Sequence, residues 1–358
     1  MVMRGGTSKG VFFVLDDLPT EIAARDALLL SIMGSPDIRQ IDGLGGATPL
    51  TSKVAIVAPS HRDDADIDYL FLQVGVDRAE VSDRQNCGNL LAATGQFAIE
   101  RGLIDVASGD TATVRVYMVN TQSLATATFP VADGLPTSAG DTAIDGVPGT
   151  AAPVRIDFED IAGGSCGALL PTGNAVDTID GVAVTMIDHG MPVVVMRAAD
   201  LGIAGTESPT TLEANSELRS RLESIRLQAG VVMHLGDVAD TTVPKLTMVS
   251  PPSAGGDLST RTFIPHRCHE AIGVFGAVSV ATAALLPGTP AAAVARPQAG
   301  SEGTLVCEHP SGSFTVAIDI DTSGDAPRIE RAGIIRTARK IMDGTVFPAD
   351  YRTTGSPR

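Results

Sequence analysis

The sequence has no tryptophan, and phenylalanine and tyrosine bring the aromatic share to only 4% of its 358 residues. Alanine, valine, leucine and isoleucine must therefore fill the interior, and a 44% hydrophobic share supplies them. Positive charge is also scarce: 26 Lys and Arg stand against 42 Asp and Glu, a net charge of −16. So acidic a chain lacks the basic face that nucleic acid requires, and anionic lipid repels it. A pocket can still be locally basic, so the positions of the few cations carry more information than their number. No apolar run is long enough to span a membrane, and no basic-then-apolar leader opens the chain. Four cysteines (Cys87, Cys166, Cys268, Cys307) lie far apart with no CxxC pair, which argues against a disulfide framework. The expectation is a reduced, cytoplasmic protein whose thiols are available for chemistry.

What is abundant is glycine (38) and proline (22), the punctuation of many tight turns. Length suggests two domains of ordinary size. Strand-like segments (1–3, 11–15, 54–57, 68–76, 111–119, 125–131, 154–158) are separated by turns, with a helical spacing over Leu18–Met33. Residues 88 to 104 differ: apolar side chains occupy almost every face, the mark of a buried helix. The order then repeats, with strands at 182–187 and 193–196, a polar helix over 212–228, and strands at 245–250 and 313–320. A second wholly apolar helix covers about 271–286. Two halves of this kind suggest an internal duplication. Thr289–Ala299 reads as a linker.

Cys87 stands where the first buried helix begins, between Asn86 and Gly88-Asn89. Unpaired N–H groups and the helix dipole favour a thiolate there and make a carboxylate site. An isolated cysteine is more often inert packing; the flanking asparagines and the buried helix favour function. Lys53 follows the glycine-rich 43–46 turn and opens an apolar strand. On spacing alone it is an edge charge, whereas burial in a pocket disfavours the ammonium and leaves a base. Arg4-Gly5-Gly6-Thr7-Ser8-Lys9-Gly10 lacks the P-loop order and is followed by a strand. It reads as a hairpin whose Arg4, Thr7 and Ser8 can grip a carboxylate. Gly43, Gly45 and Gly46 do not form a dinucleotide fingerprint. His266-Arg267-Cys268-His269 has no further ligands at zinc spacing, so no metal is expected. Arg267 and His269 suit an anion better. Cys166 and Cys307 read as packing or loop thiols.

Taken together, MRGGTSKG at 3–10, SKVAI at 52–56, QNCGN at 85–89, PTGN at 171–174, DHGMPVV at 188–194 and RTAR at 336–339 resemble the methylaconitate isomerase family. That family belongs to the diaminopimelate-epimerase-like superfamily, and the likeness runs from Met3 to about Val346. The resemblance implies an α+β fold of two pseudo-symmetric domains, each with strands wrapped around a central buried helix. The first would cover 1–180, with 335–358 returning to it, and the second 181–334. It also implies a cofactor-independent isomerase that moves a proton on a small unsaturated keto-tricarboxylate such as oxalomesaconate, in gallate and protocatechuate breakdown. Lys53 and Cys87 match the family's catalytic pair. Arg4, Gly5, Thr7, Ser8, Ser52, Asn86, Gly88, Asn89, Met191, Arg267 and His269 match its substrate-facing wall. Neither metal nor cofactor is implied, and a homo-oligomer is left open. The epimerases use a second cysteine at the second helix start; here that place reads Gly273-Val274-Phe275-Gly276-Ala277, which disfavours a two-cysteine racemase. Cis–trans isomerisation of methylaconitate or aconitate is the nearest alternative. A hydratase and a non-catalytic dicarboxylate-binding protein are the others.

Overall fold

The computed structural model describes residues 1–83, 86–105, 109–297, 303–321 and 328–349. The chain divides into two compact units, residues 1–156 with 336 onward, and residues 157–335. The first break thus falls well before the 180 expected from sequence. Asp188 draws the intervening turn into the second unit: its Oδ2 accepts from the N–H groups of Ser165 and Cys166 at 2.7 and 2.9 Å.

The first unit opens with the hairpin β1 (Val2–Gly5) and β2 (Ser8–Val14), whose turn begins on the left-handed Gly6 (φ 51°). Helix α1 (Ile22–Met33) starts later than the apolar spacing suggests, because Glu21 caps it through the N–H groups of Ala23 and Ala24. The left-handed Gly34 ends it. Strand β3 (Lys53–Pro59) runs parallel to β2, and β4 (Ile67–Val74) antiparallel to β3. After the short β5 (Val81–Ser82), helix α2 (Gly88–Glu100) leads to β6 (Thr111–Met118), which is parallel to β4. Strand β7 (Ser123–Ala132) pairs antiparallel with β6, followed by β8 (Leu135–Pro136) and β9 (Pro153–Phe158).

Alternation along the strands sends side chains to two different helices. Val11, Val54, Ile56, Leu72 and Val74 share an apolar cluster with Leu29 and Met33 of α1. The opposite face of β2 meets α2: the Phe12 and Phe97 rings lie 5.6 Å apart, and a Cβ on Gly10 would fall 2.8 Å from Leu90 Cδ1. Every residue of α2 from Leu90 to Ile99 is buried. Each of its large apolar side chains contributes about 1.5–3 kcal/mol by leaving water.

The second unit repeats this order. Strand β10 (Asp177–Ile179) leads into the hairpin β11 (Val182–Asp188) and β12 (Pro192–Arg197). Helices α3 (Pro209–Ala214) and α4 (Ser216–Val232) follow. Strand β13 (Lys245–Ser250) is parallel to β12, and β14 (Leu258–Phe263) antiparallel to β13. Next come the buried helix α5 (Val274–Leu285), the short α6 (Pro290–Val294) and β15 (Thr304–His309), parallel to β14. Strand β16 (Gly312–Asp321) pairs antiparallel with β15. Strand β17 (Arg328–Met342) pairs with β16 over its first half, and Ala338–Met342 pairs with β1 in the first unit.

Hairpin, helix, parallel strand, antiparallel strand, buried helix, parallel strand and antiparallel strand therefore occur once in each unit. The α+β fold of strands around one buried helix per unit is as expected. Two local expectations fail. The polar helix is broken at Asn215, whose side chain caps α4 by accepting from Leu218 N–H. The stretch from Thr289 is no linker: Thr289 caps α6, and Pro290 and Ala291 are buried (298–299 lie outside the described residues).

Candidate active site

Cys87 is the residue immediately before α2, in extended conformation, and its thiol does not cap the helix. Its backbone is fixed on both sides. The Cys87 N–H donates to Asn86 Oδ1 at 2.8 Å, and its carbonyl accepts from Tyr69 Oη at 3.2 Å and Leu91 N–H at 3.1 Å. Asn86 Nδ2 lies 2.6 Å from Met118 Sδ. Burial, then the neighbouring Cys87, raises Tyr69 well above the ordinary phenol range, so it stays a donor.

Lys53, the first residue of β3, is buried; its Nζ donates to Gln73 Oε1 at 2.8 Å and lies 4.8 Å from the Phe71 ring centre. The Gln73 amide has one orientation here. Its Nε2 donates to the carbonyls of Ser52 and Pro49 at 2.9 and 3.1 Å, which turns Oε1 towards the lysine. The Ser52 hydroxyl accepts from Gln40 Nε2 at 2.7 Å, and Gln40 Oε1 accepts from Ala47 N–H at 2.9 Å. A Cβ on Gly45 would fall 2.1 Å from the Gln40 side chain, so the glycine-rich turn accommodates this amide. Ser52 is tied into that turn.

Register explains why these groups meet. Met3, Gly10, Lys53 and Gln73 lie directly across from one another in β1, β2, β3 and β4. They share one face, the face that carries α2. Phe71 and Tyr69 continue that face along β4, one against Lys53 and the other on the Cys87 carbonyl. Lys53 and the Cys87 backbone are thus both supported from one strand face. The next row, Ala338, Gly5 and Ser8, lies on the same side.

The hairpin residues of this row fit closely against α2. A Cβ on Gly5 would lie 2.3 Å from the Asn89 carbonyl, and one on Gly6 2.2 Å from Asn89 Oδ1. Asn89 Nδ2 donates to Thr7 Oγ1 at 3.0 Å. Gly88 is the first residue of the helix. Ser8 is buried, and its hydroxyl has no hydrogen-bond partner among the described residues. Arg4, expected to grip a carboxylate, is engaged elsewhere: its Nη1 donates to the carbonyls of Gly6 and Thr337 and to Thr337 Oγ1, at 2.9 to 3.0 Å. It sits opposite Arg339 across the β1–β17 pair, the wrong face for α2.

Sequence reasoning missed Arg336, which it treated only as part of the chain's return. Arg336 is 7% exposed and donates from Nε to Asn89 Oδ1 at 3.1 Å. Burial pulls it down to about 10. A signal was present: Ala332, Ile334 and Ala338 alternate as buried residues, and an arginine interrupts that series.

Of the residues expected in the second unit, Met191 offers its carbonyl to Ser279 Oγ at 2.7 Å, beside the left-handed Gly190, where a Cβ would meet Phe275 at 2.8 Å. Arg267 is exposed and its Nε binds Glu213 at 2.9 Å. His269 is also exposed, its Nδ1 accepting from Ala271 N–H at 2.9 Å. Surface pairing accounts for both better than anion binding. The duplication matches Lys53 with Lys245, the first residue of β13, and Cys87 with Gly273, the residue before α5. A Cβ on Gly273 would lie 3.5 Å from Lys245 Nζ, and burial lowers the lysine's pKa. The second strand-start lysine is therefore present and the second helix-start thiol is not.

The other cysteines are packing residues. Burial raises Cys166 to about 12, Cys268 to about 11 and Cys307 beyond that. Among the described residues no group of three or more His, Cys, Asp and Glu is arranged to hold a metal ion.

The family model described as PrpF protein matches residues 1–348. The chain is 58% identical to (4E)-oxalomesaconate Delta-isomerase of Novosphingobium sp. (strain KA1), over 97% of this chain and 96% of that one. It is 57% identical to 4-oxalomesaconate tautomerase of Pseudomonas putida (strain KT2440), over 97% and 94%. The crystal structure of methylitaconate-delta-isomerase superposes with a TM-score of 0.87 at 36% identity, covering 100% of this chain and 98% of the other. With its duplicated fold and its motifs in register over nearly the whole length, the chain belongs to the PrpF protein family.

Proposed function

We propose that this chain isomerises 4-oxalomesaconate, moving a proton and with it the C=C bond, with Lys53 and Cys87 as the proton-transfer pair. One observation supports the reading: a single face of β4 holds the Lys53 amine, through Gln73 and Phe71, and the Cys87 backbone, through Tyr69, in a chain 58% identical to an oxalomesaconate isomerase. The substrate's ketone, conjugated with its double bond, acidifies the protons γ to the carbonyl. The Lys53 amine takes one such proton, and the C–H electron pair spreads into a dienolate. The Cys87 thiol then protonates the other end of that system. One C–H bond breaks and a new C–H or enol O–H bond forms, so no electron acceptor enters the balance. Gln73 orients the amine through its Oε1. First-turn N–H groups of α2 offset the charge on the dienolate oxygen. Each positioned proton-transfer group is worth roughly 10²–10⁴-fold.

The reading includes a cytoplasmic location, which the four free cysteines support. Among the described residues no helix is long and apolar enough to cross a membrane.

Proton NMR in D₂O tests the proposal on 4-oxalomesaconate and on 2-methylaconitate in parallel. Loss of a substrate C–H signal is expected with the first acid, and its abolition in Lys53→Met. Undiminished turnover in Lys53→Met or Cys87→Ala would remove the assignment. Faster turnover of methylaconitate would transfer the activity to the cis–trans isomerases, and a product heavier by one water would make the protein a hydratase.

A further inference from the structure

Two arginines flank the row formed by Ala338, Gly5 and Ser8, and they have opposite orientations. Arg4 lies on the face away from α2, where its Nη1 serves Gly6 and Thr337. Arg336 is two residues before Ala338 on β17, so alternation sends it to the face that carries α2. Its Nε meets Asn89 Oδ1, in the first turn of that helix.

Ser8 occupies the same face. Its hydroxyl is buried and without a hydrogen-bond partner among the described residues, although 1% exposure would normally demand one. Gly5, directly opposite Ser8, sits against the Asn89 carbonyl. Ser8 is also two residues, about 7 Å along β2, from Gly10, the residue paired with Lys53. A guanidinium, an unused hydroxyl and the first turn of a 13-residue helix therefore converge beside the lysine. All three favour an anion.

We infer that Arg336 and Ser8 hold one carboxylate of the substrate against the start of α2, and that Arg336, not Arg4, is the arginine that selects for it. The inference rests on the functional reading above and deepens it. The guanidinium supplies the charge and Ser8 donates a further hydrogen bond. Asn89 fixes the guanidinium through Nε, and Thr7 fixes Asn89.

The test compares wild type with Arg336→Lys, Ser8→Ala and Arg4→Gln. Turnover of 4-oxalomesaconate is measured, together with calorimetric binding of the unreactive tricarboxylate tricarballylate and the dicarboxylate glutarate. In Arg336→Lys and Ser8→Ala, KM and the tricarballylate Kd are expected to rise about 10- to 100-fold, and by less for Ser8→Ala. The preference for tricarballylate over glutarate should shrink while kcat changes little. Arg4→Gln should keep that preference. Ser8→Ala removes only one oxygen atom and keeps the test decisive if the Arg336 variant does not fold. Unchanged KM and preference in Ser8→Ala, or a collapse of preference in Arg4→Gln alone, would overturn the inference. Wild type that neither turns over 4-oxalomesaconate nor binds tricarballylate would defeat the functional reading first. Normal wild-type turnover with an unaffected Ser8→Ala defeats this inference alone.

Discussion

The phenol of Tyr69 donates to the carbonyl of Cys87 across 3.2 Å, while Phe71, two residues further along β4, lies beneath the Lys53 amine. One strand face thus supports both members of the proposed pair. The phenol is buried and held well above its usual pKa, so this bond persists through the working pH range. Tyr69→Phe is expected to cost about 1 kcal/mol of stability. It should also lower kcat on the order of tenfold, because the thiol loses its fixed position, with KM nearly unchanged. Urea unfolding and steady-state kinetics measure the two effects. A stability loss with kcat intact would reduce Tyr69 to a structural role.

Gly5, packed against the first turn of α2, and Gly273, the residue before α5, tolerate a side chain differently. At Gly5 a Cβ would collide with backbone, 2.3 Å from the Asn89 carbonyl oxygen. At Gly273 the nearest atom is the end of a flexible lysine, at 3.5 Å, and φ is −70°. Gly5→Ala should therefore destabilise the protein by about 1–3 kcal/mol through forced backbone shifts. Gly273→Ala should lie within about 0.5 kcal/mol of wild type, or raise stability slightly. Equal losses in chemical denaturation would refute the distinction.

The same contrast explains what was legible in the sequence. Residues 88–104 could be read as a buried helix because no polar face interrupts them. The repeat could be suspected because two such helices exist. Lys53 and Cys87 could be singled out by what flanks them, but not joined, since their relation passes through Gln73, Phe71 and Tyr69 on another strand. Which face Arg4 and Arg336 each occupy follows from strand register, a long-range property that a local motif does not carry. Without it the arginine inside MRGG looked like the carboxylate ligand. Strand β14 escaped notice because LSTRTF is buried throughout and shows no polar and apolar alternation. Arg267 and His269 looked functional by proximity to a helix start, a property that says nothing of a side chain's exposure or partner.

The second unit contains a group whose protonation opposes folding. His189 is 3% exposed, and its Nδ1 lies 2.8 Å from Thr282 Oγ1. The Thr282 hydroxyl donates to the Val278 carbonyl at 2.8 Å, so its oxygen accepts from the ring and the proton belongs on Nδ1. Burial lowers His189 from 6.5 to about 4. Above pH 6.5 the ring is neutral in both folded and unfolded chains and adds no pH dependence. Between 6.5 and 4 the unfolded chain takes up a proton that the folded chain refuses, so stability falls as pH falls. Below 4 both forms are protonated and the loss is complete, at about 3 kcal/mol. His189→Gln keeps an amide donor for Thr282 and has no titration. It should be less stable than wild type at pH 7, yet lose about 3 kcal/mol less on going from pH 7 to 4. Urea unfolding across that range measures the difference, and parallel curves for the two proteins would show that His189 does not govern this loss.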